Sequence, residues 1–238
     1  PEQALTLARQ ARRQSPNRQD LLADLALSYA WQVNMDLAAA YKAAERASNR
    51  HPQQAAAWLR RSELAVAMGD IEAAADALQR ARSLQPEHPA VRVQSGFVRL
   101  FQLQLQAARA DFEQVLVQVP GNPQAHLGLG LTLLRQGDTQ AGRYQLELAV
   151  SLDPVRSVLR SYLGRAYFEE IRDDEAVVQW QLARELDPED PTPYFYLGVG
   201  KLYQSDPVAA VAELETAREL NQERALYRSE TLLQSDAA

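Results

Sequence analysis

The 238-residue chain has no cysteine, two lysines, three histidines and ten glycines, and no long hydrophobic run. Each shortage excludes something. Without cysteine there is no disulfide framework, no thiolate nucleophile and no thiolate metal site. His51, His88 and His126 are scattered and show no His-Glu-x-x-His or similar ligand spacing, so they read as ordinary surface or turn side chains. No apolar stretch approaches the ~18 residues of a membrane span. A soluble chain, cytoplasmic or periplasmic, is expected. The serines lie outside any nucleophile elbow and have no credible histidine partner. The chain is therefore not read as an enzyme, and neither cofactor nor metal is expected.

Charge narrows the partners further. A net charge of −6 argues against a nucleic-acid footprint, and Arg12-Arg13 and Arg60-Arg61 are too sparse to track phosphates. The distribution is uneven, with +3 over residues 1–100 and −9 over 101–238. The acidic run Glu169, Glu170, Asp173, Asp174 and Glu175 lacks the Asp-x-Asp-x-Asp-Gly pattern of a calcium loop. It reads as carboxylates complementing the dipole of the helix they open.

Alanine, leucine, glutamine and arginine dominate what remains, and all are strong helix formers. The expected class is all-α. An internal period then organises the chain: Pro52, Pro86, Pro120, Pro154 and Pro188 recur every 34 residues, and Pro16 precedes Pro52 by 36. Proline cannot continue a helix, so each marks a recurrent helix end. With the prolines as phase marks, small residues fall into columns. One reads Ala26, Ser62, Gly96, Gly130, Gly164, Gly198; a second reads Ala40, Ala74, Ala108, Gly142, Ala176, Ala210. A third reads Ala47, Ala81, Val115, Ala149, Ala183, Ala217, with Ala44, Leu78, Phe112, Leu146, Trp180 and Leu214 between the last two. Large against small across two helices predicts a close-packed hairpin. Gly69-Asp70, Gly137-Asp138 and Ser205-Asp206-Pro207 supply its turns, with aspartate capping the second helix.

These residues resemble the tetratricopeptide repeat family. Ser157–Asp190 fits best, with Leu163-Gly164, Tyr167, Ala176, Trp180, Ala183 and Pro188; the units carrying Trp58 and Tyr194, Leu197, Gly198 also fit. The resemblance implies a right-handed α-solenoid superhelix of antiparallel helix pairs over one domain, 1–238. Its repeats are 19–54, 55–88, 89–122, 123–156, 157–190 and 191–224, with half-repeats at 1–18 and 225–238. Unit 19–54 carries two extra residues, which the pattern puts around Gln32–Asp36. Unit 89–122 departs from the family, with Arg92, Ser95 and Arg99 at usually apolar places. The opening Pro1-Glu2-Gln3 falls inside a helical pattern, so the chain reads as a piece of a longer protein.

In such an architecture the first helix of each pair lines a concave side. The resemblance then implies a groove of Leu59 and Glu63; Val93, Phe97 and Phe101; Leu127, Leu131 and Arg135; Ser161, Arg165 and Glu169; Phe195, Val199 and Tyr203. Its middle is apolar, with Arg135 and Arg165 as anchors, and suits a polypeptide segment with aliphatic side chains. The carboxylate clamp known in the family needs lysines and asparagines on first helices. Of Lys42 and Lys201 only the latter lies there, and the five asparagines fall in turns or near helix ends. The expected function is a protein-interaction scaffold. The 23:2 arginine-to-lysine ratio fits a GC-rich bacterial genome. The style of the chain resembles envelope proteins in which repeats precede an export or outer-membrane module, which implies a bacterial cell-envelope or export assembly. The competing reading is homo-association, stacking through the uncapped end half-repeats.

Overall fold

The computed structural model describes residues 2–14, 21–33 and 36–220. Among these residues there are thirteen helices and no strand. After a single helix α1 (Glu2–Gln14), helices alternate in two lengths. The first helices, 13 residues each, are α2 (Leu21–Val33), α4 (Ala55–Ala67), α6 (Pro89–Phe101), α8 (Pro123–Arg135), α10 (Ser157–Glu169) and α12 (Pro191–Tyr203). The second helices, 14 residues each, are α3 (Leu37–Arg50), α5 (Ile71–Leu84), α7 (Leu105–Gln118), α9 (Thr139–Leu152), α11 (Asp173–Leu186) and α13 (Pro207–Leu220). The periodic prolines follow two residues behind the ends of α3, α5, α7, α9 and α11. The fold is an all-α solenoid of helix pairs.

The described residues form two compact units, which divide between Val98 and Arg99. Within the first, α2 pairs with α3 and α4 with α5; within the second, α8 pairs with α9, α10 with α11 and α12 with α13. The small-residue columns explain how closely the partners approach. A Cβ placed on Gly130 would stand 2.8 Å from Leu146 Cγ and 3.0 Å from the Gly142 carbonyl oxygen. In α8/α9, α10/α11 and α12/α13 a Cβ on the column glycine would stand only 3.0–3.2 Å from a backbone oxygen of the partner helix. This close approach offsets the ~1 kcal/mol that glycine costs inside a helix. The alanines of the second and third columns are fully buried in every pair.

Large side chains fill the space so left. Phe112 occupies the room at Gly128, and the Trp180 indole that at Gly164, while its Nε1 donates to the Ser161 carbonyl at 3.0 Å. Trp180 also stacks on Tyr196 at 5.7 Å between centroids, and Phe168 and Tyr162 extend the aromatic group. The first unit uses a different device. Ser62 stands where the second unit has glycine; its Oγ donates to the Ala74 carbonyl at 2.9 Å and accepts from Gln94 Nε2 at 3.0 Å.

One phase assignment is corrected. Ser28, not Ala26, is the column residue: Ser28 is buried and its Oγ donates to the Ala40 carbonyl at 3.0 Å, whereas Ala26 is exposed. Helices α2 and α3 stand 34 residues ahead of α4 and α5, so the two extra residues precede Leu21 rather than falling around Gln32–Asp36. Asn34 and Met35 lie outside the described residues, as do 15–18 of the first half-repeat and all of 225–238. In unit 89–122 the two unusual arginines find polar partners, Arg99 reaching Asp111 at 2.8 Å and Arg92 reaching Glu87 at 2.9 Å, while Ser95 is buried.

The turns inside the pairs share one backbone conformation. Gly69 and Gly137 have φ of 76° and 85°, and at the same repeat position Leu103, Ile171 and Ser205 have 59°, 60° and 62°. An L-residue in this left-handed region costs about 1–2 kcal/mol, and a β-branched one is a rarer occupant still. Asp36, Asp70, Asp138 and Asp206 then cap the second helices by accepting from the backbone N–H three residues on, at 2.8–3.2 Å. Gln104 and Arg172 at that place make no such cap.

Candidate functional site

In the first unit, the repeat position that holds Glu63 and Phe97 is filled on α2 by Tyr29. Arg60, only 4 % exposed, is the centre of this face. Its Nε donates to Ser28 Oγ at 3.1 Å, its Nη2 to Gln32 Oε1 at 2.6 Å and its Nη1 to Glu63 Oε2 at 3.3 Å. The guanidinium also lies over the Tyr29 ring, 3.8 Å from its centroid. A buried arginine is costly unless its donors are satisfied, and here neighbours from two helices satisfy them.

Burial raises the Glu63 carboxyl above the ordinary carboxylate range, and the Arg60 charge and hydrogen bond pull it back only in part. Yet 37 % of the Glu63 side chain reaches solvent. The side-chain exposure is the better guide to what a partner could touch. Tyr29 has the same character: burial first, then the Glu63 charge, raises its hydroxyl pKa, with Arg60 opposing. Beside this polar floor Leu59 and Phe97 are half-buried, and Val93 is buried among the helices.

In the second unit the sequence-derived residues separate into layers. Leu127 and Phe195 are buried, and Phe195 sets its ring edge-on to Tyr196 at 5.3 Å. Ser161 is wholly buried. Phe101, Leu131 and Val199 are half-buried. Tyr203 is exposed, with its ring T-shaped against Phe168 at 5.0 Å. Both arginines named as anchors are engaged within the chain: Arg135 Nη1 donates to the Leu100 carbonyl at 3.1 Å, and Arg165 Nε to Glu169 at 2.8 Å. The half-buried side chains are the ones left within a partner's reach, and Leu127 and Phe195 lie behind them.

The histidines divide likewise. His88 is exposed, but His126 is buried rather than a surface or turn residue, with Nδ1 2.7 Å from Gln145 Oε1 and Nε2 2.8 Å from the Pro120 carbonyl. It ties α8 to α9 and to the turn before it. His51 lies against buried Asp24, which also meets Arg12 of α1 and Arg50 of α3, each at 3.4 Å. Among the described residues no group of three or more His, Asp or Glu is placed to hold a metal ion, and no helix is long and apolar enough to cross a membrane.

Comparison with known proteins bears on the fold. Two family profiles, both described as tetratricopeptide repeat, match residues 55–88 and 98–157. No curated protein matches the chain. Among solved structures it is similar to the APC/C hetero-tetramer Cut9-Hcn1, at 17 % identity and a TM-score of 0.72 over 97 % of this chain and 45 % of that one. A tetratricopeptide repeat protein from Parabacteroides merdae is similar at 20 % identity and a TM-score of 0.66, over 92 % and 86 % of the two chains. So is a thermophilic tetratricopeptide repeat protein of Thermus thermophilus, at 20 % identity and 0.67, over 77 % and 100 %. The chain thus spans under half the length of the first and most of the other two. At these identities the likeness is one of fold. With the 34-residue period, the paired helices and both profile matches in agreement, the chain is a tetratricopeptide repeat protein.

Proposed function

We propose that this chain is an interaction scaffold that seats a polypeptide segment against the first-helix faces of its repeats. Tetratricopeptide repeats generally mediate protein–protein interaction, and scaffolds of this family are typically non-enzymatic. The observation that carries the reading is a set of half-exposed apolar residues at recurrent positions, with buried residues behind them. They are Leu59 and Phe97 in the first unit, and Phe101, Leu131 and Val199 in the second. Apolar groups kept partly in water in repeat after repeat suit a partner with aliphatic side chains. A segment seated on the first unit would also meet Tyr29 and Glu63, and one seated on the second would meet Tyr203. The resemblance of the chain's style to envelope proteins in which repeats precede an export module extends the proposal to a bacterial cell-envelope or export assembly.

The test is affinity capture from the source cells with wild type, Phe97→Glu and Leu131→Glu, each first checked for an unchanged helical melting curve. Loss of the same partners from either variant supports the reading. Identical captured sets from all three overturn it. The competing reading, stacking through end half-repeats, has exposed Leu7 on α1 in its favour. Light scattering over a concentration series separates them, since only stacking raises the mass.

A further inference from the structure

We propose that the turn between α10 and α11 is a second docking surface, sharing only Tyr203 with the first-helix faces, and that its occupant is a basic, amphipathic segment of another protein. The argument begins with Ile171. It adopts φ 60° where two sibling repeats use glycine, and it is 88 % exposed. A β-branched residue in the left-handed region carries a conformational cost. With its side chain in solvent, Ile171 recovers nothing from packing inside the fold. Glycine would serve the turn better, so the benefit of this side chain lies outside the chain.

The surroundings indicate what the side chain meets. The Ile171 N–H donates to the Phe168 carbonyl at 3.0 Å, and the Phe168 ring carries Tyr203, itself 76 % exposed. Leu202 and Val208, flanking the next turn, are exposed as well. Helices α10 and α12 are neighbours, so these exposed apolar side chains gather on the turns of two adjacent pairs. Such gathered apolar surface marks a contact site more often than solitary exposed residues do. Its border is acidic. Glu170 and Glu175 are engaged by Arg143 and Arg172, but Asp173 and Asp174 are exposed and make no ion pair among the described residues. Residues 164–220 hold 13 acidic and 5 basic groups, so this part of the unit repels anionic partners and attracts cationic ones. An apolar centre with an acidic rim complements leucine-type side chains interleaved with lysine or arginine.

The probe is a fluorescein-labelled helical peptide of leucine and lysine, about four turns long, read by anisotropy at physiological salt. A leucine–glutamate peptide of the same pattern is its counterpart. Wild type should bind only the lysine peptide. Ile171→Gly, which removes no charge, should weaken that binding about tenfold and raise the melting temperature by roughly 2–4 °C. Asp173→Asn/Asp174→Asn should weaken it comparably. Glu215→Gln/Glu219→Gln, the same change of charge on α13, should leave it within about twofold. Equal affinity for wild type and Ile171→Gly overturns the proposal. So does an unchanged or lower melting temperature of that variant, which would show that Ile171 works within the fold. Self-association of wild type that Ile171→Gly abolishes would make the occupant a second copy, and overturns it too.

Discussion

The Arg60 guanidinium, buried at 4 % exposure, lies 3.8 Å from the centroid of the Tyr29 ring on the preceding first helix. The contact joins two repeats of the first unit and fixes the floor of its first-helix face. Arg60→Met should cost about 2 kcal/mol or more, because Gln32 and Ser28 lose their donor and Glu63 its counter-charge. The cost stays below that of a fully buried pair, since Glu63 is partly solvated. Calorimetric melting of the variant checks this.

Glu63 gives a prediction of opposite sign. Its carboxyl is raised in the folded state, so folding favours its protonated form. The associated stability is fully present below the ordinary carboxylate pKa and is lost as pH rises through the raised value. Glu63→Gln, which mimics the protonated group, should therefore be neutral or stabilising at pH 7 and should flatten the decline across the weakly acidic range. Urea midpoints from pH 4 to 7 read it; a lower midpoint for the variant at pH 7 would contradict the sign.

Ser62 is wholly buried, donating to Ala74 and accepting from Gln94. Ser62→Ala strands the Gln94 amide and should cost about 1–3 kcal/mol. Adding Gln94→Met removes the stranded group, so the double variant should recover much of the loss. A thermodynamic cycle of the four proteins measures the coupling.

Gly164→Ala should destabilise, against the usual helix gain of ~1 kcal/mol from alanine. The new methyl meets the Trp180 ring and stands 3.0 Å from the Ala176 carbonyl oxygen. Overpacking of this kind typically costs about 1–3 kcal/mol. Thermal unfolding followed by near-ultraviolet dichroism of the indole reads both the loss and its location.

Leu103→Gly should stabilise by about 1 kcal/mol by relieving a left-handed leucine at φ 59°. The reverse change, Gly137→Leu at φ 85°, should cost a similar amount. Denaturant midpoints for the two variants should move in opposite directions.

The periodic prolines and the alanine columns made the helix pairs legible because both are direct consequences of backbone geometry. The first repeat was misphased for a physical reason. Ala26 and Ser28 are both small, and size alone does not tell which faces Ala40. The better signal was Asp36, which caps α3 as Asp70 caps α5, 34 residues on. Counting back from that cap yields Ser28 and Tyr29. The layers of the candidate face were not legible, because Leu127 and Leu131 are the same residue type, one buried by neighbouring helices and the other half-open. Ile171 is not legible in the sequence, because a glycine column with an isoleucine in it looks like no column at all.

Trp180 carries a spectroscopic consequence. It is the one tryptophan of the second unit, stacked on Tyr196 with its indole N–H bound, while Trp31 and Trp58 belong to the first. A Trp180→Phe protein emits only from the first unit, and a Trp31→Phe/Trp58→Phe protein only from the second. The molecule thus contains its own pair of optical reporters, able to show whether one half of the solenoid melts while the other still holds.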